Sequence, residues 1–131
     1  MKEQVIEPPE RPLALRVVPM PSDTNTAGDI FGGWVMSQVD IAAGVTAERR
    51  AQGRVATVAV NSFQFKQPIS VGDVVSFYAD VIEVGRTSIT VKVLVVAERH
   101  PANPVTVKVT EATLTFVALD SEGNKRELPP A

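Results

Sequence analysis

The feature that most constrains this chain is one proline-free stretch, Gly33 to Arg50, set among segments rich in Val, Thr and Phe. GWVMSQVDIAAGVTAERR carries Ala, Met, Gln and Glu and closes on basic residues, which suit the negative end of a helix dipole. No other part of the chain reads as a long helix. Apart from Ser37, Gln38, Asp40 and Thr46, its residues are apolar or small on every side until the last turn. A helix of this kind is buried rather than laid on a surface, so the remaining chain is expected to wrap around it.

The remainder is strand-like. Leu13 to Val18 is a short apolar run ending at Pro19 and Pro21, as a first strand would. The loop Pro21 to Asp29 is dense in turn formers and leads into the helix. Four further strands are expected at Val55 to Phe65, Val74 to Val84, Ser88 to Glu98 and Val105 to Leu119, with turns at Pro68 to Asp73, at Gly85 and at Pro101 to Pro104. Val75, Phe77, Ala79 and Val81 share one face of their strand, as do Ile89, Val91, Val93 and Val95, which is the period of two of a sheet buried on one side. In the other two long strands the phase changes, from Val58 and Val60 to Phe63 and Phe65, and from Val105, Val107 and Val109 to Ala112, Leu114 and Phe116. One extra residue restores the alternation, so β-bulges are expected near Asn61-Ser62 and Thr110-Glu111.

The order β-α-β-β-β-β, with one helix inside a curled antiparallel sheet, is α+β and has the topology of the hotdog fold. At 131 residues there is room for one such domain. It is expected over residues 12-124, between a flexible N-terminal tail at 1-11 and a C-terminal tail at 125-131. A curved sheet with open edges commonly pairs with a second copy, so a homodimer is expected. Thirteen Lys and Arg against fifteen Asp and Glu leave no basic field for nucleic acid. The absence of cysteine removes disulfides, thiol nucleophiles and thiolate metal sites, and the single His100 leaves no two-histidine zinc site and little room for a serine–histidine hydrolase. The opening MKEQVIEPPERP has no apolar run, so neither a signal peptide nor membrane insertion is expected, and the cytoplasm is the expected location.

Chemistry concentrates on the helix. With Gly33 at its start and about 100° per residue, Ser37 falls near 40°, Asp40 near 340° and Gly44 near 20°. They form a lane of small and polar groups along which another chain or a thin ligand can approach the axis. A carboxylate amid apolar neighbours is costly to ionise without partners and suits general-base work near neutral pH; equally, Asp40 can bond a loop or sit at a polar dimer seam. Gly32 and Gly33 leave the first-turn N–H groups open to a ligand with negative charge, the physics of an oxyanion hole, or simply ease a turn. Gly28 and Gly33 have Walker A spacing, but Trp34 replaces the lysine. Asp23, Asn25 and Gly28 match part of an EF-hand loop, yet Ala27 and Trp34 occupy ligand positions.

The segment MPSDTNTAGDIFGGWVMSQVD at 20-40 resembles the signature of the YciA-like and mammalian cytosolic acyl-CoA thioesterases of the hotdog superfamily. The similarity continues in GRVATVAVNSFQFKQPISVGD at 53-73, VGRTS at 84-88 and TEATLTFVALDSEGNKRELP at 110-129. The resemblance implies hydrolysis of acyl-CoA to free fatty acid and CoA without metal, covalent cofactor or triad. It assigns Asp40 as the carboxylate that activates water, Asn25 as its amide partner, and the Gly32 and Gly33 N–H groups as the donors that polarise the thioester carbonyl. Relatives with this signature are often trimers of dimers, that is, hexamers.

Gly33 and Asp40 are seven residues apart, hence about 10 Å along the axis, whereas donor and base must both lie near one carbonyl carbon. The expectation is therefore a composite site, with Asp40 from one subunit and the helix start, with Asn25, from the other. For the CoA phosphates, Arg86 with Thr87 and Ser88 is the first choice, against a solvated hairpin arginine; Arg54, Lys66, Lys92 and Lys108 are weaker candidates. Trp34 is expected to pack, Asp29 to cap the helix or hold the loop, and His100 to occupy a turn. Two alternatives differ in class: a hydroxyacyl dehydratase, which needs a site histidine, and a catalytically silent acyl-CoA-binding module.

Overall fold

Strand propensity and turn chemistry place five strands and one long helix almost where the pattern does. The computed structural model describes residues 3–7 and 9–131. Its elements are β1 (Leu13–Val17), α1 (Gly32–Ala51), β2 (Val55–Phe65), β3 (Val74–Val84), β4 (Ser88–Arg99) and β5 (Val105–Ala118), with a short 3-10 turn at Pro21–Asp23. The strands form one antiparallel sheet in the order β1-β3-β4-β5-β2, which leaves β1 and β2 at its edges. All five strands contact α1, so the sheet curls about it.

Bulges supply the curl. Val60 faces Leu114 and Ser62 faces Thr113, which makes Asn61 the extra residue of β2, as expected. Val95 faces Thr110 and Val96 faces Lys108, which leaves Val109 extra on β5 beside the expected position. There the Thr110 hydroxyl donates to the Gln64 carbonyl. Further shifts at Val58, Ile82 and Ala14 bend β2, β3 and β1.

The expectation that α1 is buried on every side is corrected. Trp34, Val35, Val39, Ala42, Ala43, Ala47 and Ala51 face the core formed with Phe77, Ile89, Leu114 and Phe116. The opposite face lies open in the single chain, with Ile41 51% and Met36 45% exposed. Apolar composition all round therefore does not mean burial all round, because the sheet covers only one face of the helix. Gln52, in the left-handed conformation at φ 54°, ends the helix, and its N–H donates to the Glu48 carbonyl.

Residues from both expected tails lie against this body. Lys108 N–H donates to the Gln4 carbonyl and Ile6 N–H to the Thr106 carbonyl, each at 2.9 Å, while Ile6 packs on Tyr78, Leu94 and Val96 on the outer sheet face. Met1, Lys2 and Pro8 lie outside the described residues. At the other end Arg126 N–H bonds the Ala118 carbonyl at 3.0 Å, and the Arg50 guanidinium bonds the Pro129 carbonyl at 2.7 Å.

Arg99 fastens the segment before β3. It donates to Asp73 at 3.1 Å and to the Pro68 carbonyl, and pairs with Glu3, while Asp73 also accepts from Ser70 N–H at 2.9 Å. Ile30 N–H donates to the Ile69 carbonyl at 3.0 Å, which pins the entry to α1 onto that segment.

On β5, Glu111 accepts from Lys108 at 3.0 Å and faces Lys92 at 3.7 Å. The hydrogen bond from Lys108 holds its carboxyl below the usual range against the opposing effect of burial, with the charges of Lys108, Lys92 and Arg11 adding to it. A carboxyl lowered by folding stabilises fully above the ordinary glutamate range, and that contribution disappears as pH falls through it towards the lowered value. Glu111→Gln is expected to cost at most about 1 kcal/mol at neutral pH, because the pair is partly solvated, and to flatten the acid limb of the stability curve. Urea midpoints measured between neutral pH and about pH 3 test this.

Candidate active site

The lane Gly33, Ser37, Asp40, Gly44 exists as a surface stripe. Gly33, Ser37 and Asp40 are exposed, Gly44 is half-buried, and a Cβ on Gly44 would lie 3.8 Å from the Phe116 ring. The Ser37 hydroxyl turns back to the Trp34 carbonyl at 2.8 Å. Asp40 therefore does not lie in an apolar interior within one chain. Its Oδ1 accepts from the Thr57 hydroxyl on β2 at 2.7 Å, and Oδ2 has no partner among the described residues. The two residues line a cavity of about 290 Å³ together with Ile41, Gly44, Glu48 and Phe116.

Asn25 and Gly32 line a different cavity of about 250 Å³, with Asp29, Phe65, Gln67 and Ile69. Asn25 Oδ1 accepts from Ala27 N–H at 3.0 Å and Asp29 N–H at 3.1 Å, and its own N–H donates to the Asp29 carbonyl at 2.7 Å. The turn needs Gly28 at φ +87°, a conformation that a side chain would strain. The side-chain nitrogen of Asn25 stays unbonded among the described residues. Asp29 holds this loop through its backbone and does not cap α1: the N-cap is Phe31, without a side-chain cap, so the first amides of the helix are left for an outside acceptor. The Phe65 ring lies over Gly32, 3.2 Å from where a Cβ would stand.

The structure thus puts Asn25 with Gly32 and separates both from Asp40. Arg54, Arg86, Thr87 and Ser88 gather at one end of the sheet: Ala118 N–H bonds the Thr87 carbonyl and Leu119 N–H the Arg54 carbonyl, both at 2.9 Å. Arg86, with its side chain 80% exposed, pairs with Glu127 at 3.1 Å. Lys66, beyond the other end of β2, does not join them. Lys92 and Lys108 are engaged by Glu111. Trp34 packs in the core, and His100 sits in a turn at φ 59°. Sequence reasoning missed Thr57 and Gln67. Thr57 is one of several threonines in the strands, and no spacing couples it to Asp40; Gln67 stands in a plain polar connection.

A single long helix carried by a five-stranded curled antiparallel sheet is the hotdog architecture. The model of the Thioesterase superfamily matches residues 27–102, and the chain belongs to that family, among its YciA-like acyl-CoA thioesterases. It is 45% identical over 123 residues to the acyl-CoA thioester hydrolase YciA of Escherichia coli, covering 92% of this chain and 93% of that one. Among solved structures it is similar to a hexameric thioesterase of Yersinia pestis, with a TM-score of 0.89 at 45% identity over 93% of this chain and 99% of the other. It is also similar to a hexameric broad specificity acyl-coenzyme A thioesterase, solved with one aspartate replaced by alanine, at a TM-score of 0.88 and 48% identity over 92% and 88% of the two chains.

The two loop amides held by Asn25 give a stability prediction. Asn25→Ala should cost about 0.5–2 kcal/mol by freeing both, whereas Asn25→Asp keeps the acceptor and should stay within about 0.5 kcal/mol. Urea unfolding of the two variants checks the difference.

Proposed function

We propose that this chain hydrolyses acyl-CoA to a free fatty acid and CoA at a site shared between two copies of itself. The observation that carries this reading is the Asp40 carboxylate on the open face of α1, held through Oδ1 by Thr57 at 2.7 Å with Oδ2 unengaged. An oriented carboxylate with a free lone pair is what activation of a water molecule requires. Water oxygen attacks the thioester carbonyl carbon while its proton passes to Asp40. The first-turn N–H groups at Gly32 and Gly33, with the free side-chain nitrogen of Asn25, stabilise the negative charge that gathers on the carbonyl oxygen. Collapse breaks the carbon–sulfur bond, and the departing thiolate of CoA takes up the proton from Asp40.

Because the base lines one cavity and Asn25 with Gly32 another, the partner's helix start is the proposed source of the donors at each site. The exposed Ile41 and Met36 on α1, with Val58 55% exposed on edge strand β2, offer the surface by which a second copy would cover Asp40. Solved relatives are named as hexamers, which supports a trimer of such dimers. Arg86, Thr87, Ser88 and Arg54 form the surface proposed for CoA, with Lys66 a contributor only from another subunit. The broad specificity of one similar acyl-coenzyme A thioesterase supports the same class of substrate here.

A thiol-release assay on acyl-CoAs of increasing length tests the reading. Asp40→Asn is expected to lower kcat by about 10²–10⁴ while leaving the fold intact, and retention of more than a third of wild-type activity would sink Asp40 as the base. Thr57→Val should lower kcat about tenfold by releasing the carboxylate from its orientation. Ile41→Lys combined with Val58→Lys should yield a monomer by sedimentation velocity and abolish turnover, because the face that covers Asp40 is then charged.

A further inference from the structure

The cavity at the head of α1 contains a buried side-chain amide that the proposed chemistry does not use. Gln67 follows β2, between Phe65, whose ring lies over Gly32, and Ile69, whose carbonyl accepts from Ile30 N–H at 3.0 Å. It lines the cavity of about 250 Å³ that also includes Asn25 and Gly32. The residue is only 4% exposed. Its Nε2 is buried and has no hydrogen-bond partner among the described residues.

A buried N–H without an acceptor is costly, and folded chains seldom keep one without a compensating role. The residues around it do not supply the acceptor. Phe65, Pro68 and Ile69 present apolar side chains, the Pro68 and Ile69 carbonyls are taken by Arg99 and Ile30, Asn25 Oδ1 already accepts two loop amides, and the Asp29 carboxylate, which lines the same cavity, makes no hydrogen bond to Gln67. The segment is not slack either, since Arg99 and Ile30 hold Pro68 and Ile69 after Gln67, and Lys66 N–H bonds the Val109 carbonyl at 2.8 Å before it. A polar group held in a fixed place, beside unbonded helix-start amides and short of an acceptor, is matched to an oxygen that arrives with a ligand.

On the thioesterase reading of this same site, we propose that Gln67 is a substrate-contacting residue whose side-chain amide donates a hydrogen bond to the thioester carbonyl oxygen alongside the Gly32 and Gly33 amides. The terminal torsion of glutamine is soft, so a modest rotation turns an N–H from the cavity wall towards that oxygen. The bond is made to an oxygen whose charge grows during attack, so it strengthens in the transition state.

Gln67→Leu separates this role from a structural one. Replacing an unmatched amide by an apolar group of similar size removes a burial cost, so the melting temperature should hold or rise while kcat/KM falls tenfold or more. Two inert ligands locate the contact: a 2-oxoalkyl-CoA, which keeps a carbonyl next to a methylene in place of the thioester, and an S-alkyl-CoA, which lacks the oxygen. The variant should bind the first about tenfold more weakly and the second within twofold of wild type. Equal loss for both ligands, no loss for either, or a fall of several degrees in melting temperature would overturn the proposal; the last would show that Gln67 satisfies a trapped water or the fold itself. Should the Leu variant not fold, Gln67→Met carries the same test, and failure of both to fold assigns Gln67 to stability and refutes the proposal. Wild type that turns over no acyl-CoA refutes the thioesterase reading instead.

Discussion

Close seating of α1 in the curled sheet is the contact on which everything else here depends. Ala42, Ala43, Ala47 and Ala51 are fully buried along its inner face, and large side chains such as Phe77, Phe116 and Ile89 come from the strands to meet them. Small residues on the helix let the strands approach its axis, while alanine also has the highest helix propensity, so packing and local preference agree. The bulges at Asn61 and Val109 turn the strands around the helix without breaking the alternation that buries one face.

That seating decides where chemistry is available. Once the alanine face is committed to the sheet, the stripe of Gly33, Ser37 and Asp40 must point away from it, and β2, the edge strand, brings Thr57 to Asp40. The helix start meanwhile is held by contacts of a different kind, the Ile30–Ile69 backbone bond and the Asn25 turn. One helix thus carries a carboxylate on its outer flank and free amides at its head, in separate cavities. In the proposed site the second copy joins what the single chain keeps apart, and the exposed Ile41 and Met36 become the buried lining of a shared cleft.

Much of this architecture was legible in the residues. β2 and β3 span the expected limits, and α1 runs one residue further at each end than the pattern suggested. Bulges at Asn61 and Val109 were visible because they shift an alternation of large apolar side chains; those at Ala14, Val58 and Ile82 lie where exposed apolar residues blur the alternation, so no phase marks them. The burial of Asp40 was over-read, because exposed apolar residues such as Met36 and Ile41 read in sequence like residues of the core. The Thr57 bond depends on how an edge strand passes the helix, and the unmatched amide of Gln67 depends on what a loop encloses. Neither distance nor enclosure is written in local spacing. The clustering of Arg54 with Arg86 likewise follows from strand pairing, whereas Glu127, the partner of Arg86, comes from a segment read as a tail.

The central claim, a catalytic unit assembled from two helices of different subunits, is tested most directly by complementation. Gly32→Pro deletes one helix-start N–H at a first-turn position where proline is tolerated, and Phe31 at φ −71°, ψ 148° already has the backbone that must precede a proline. Mixed one to one under conditions of subunit exchange, Gly32→Pro and Asp40→Asn chains form hybrids in which one of two sites has both parts intact. Thiol release should then recover to about a quarter of the wild-type rate, since half the dimers are hybrid and half their sites are whole. Activity that stays at the level of the two parents, with hybrid dimers demonstrated by mass, would show instead that each chain builds its site alone.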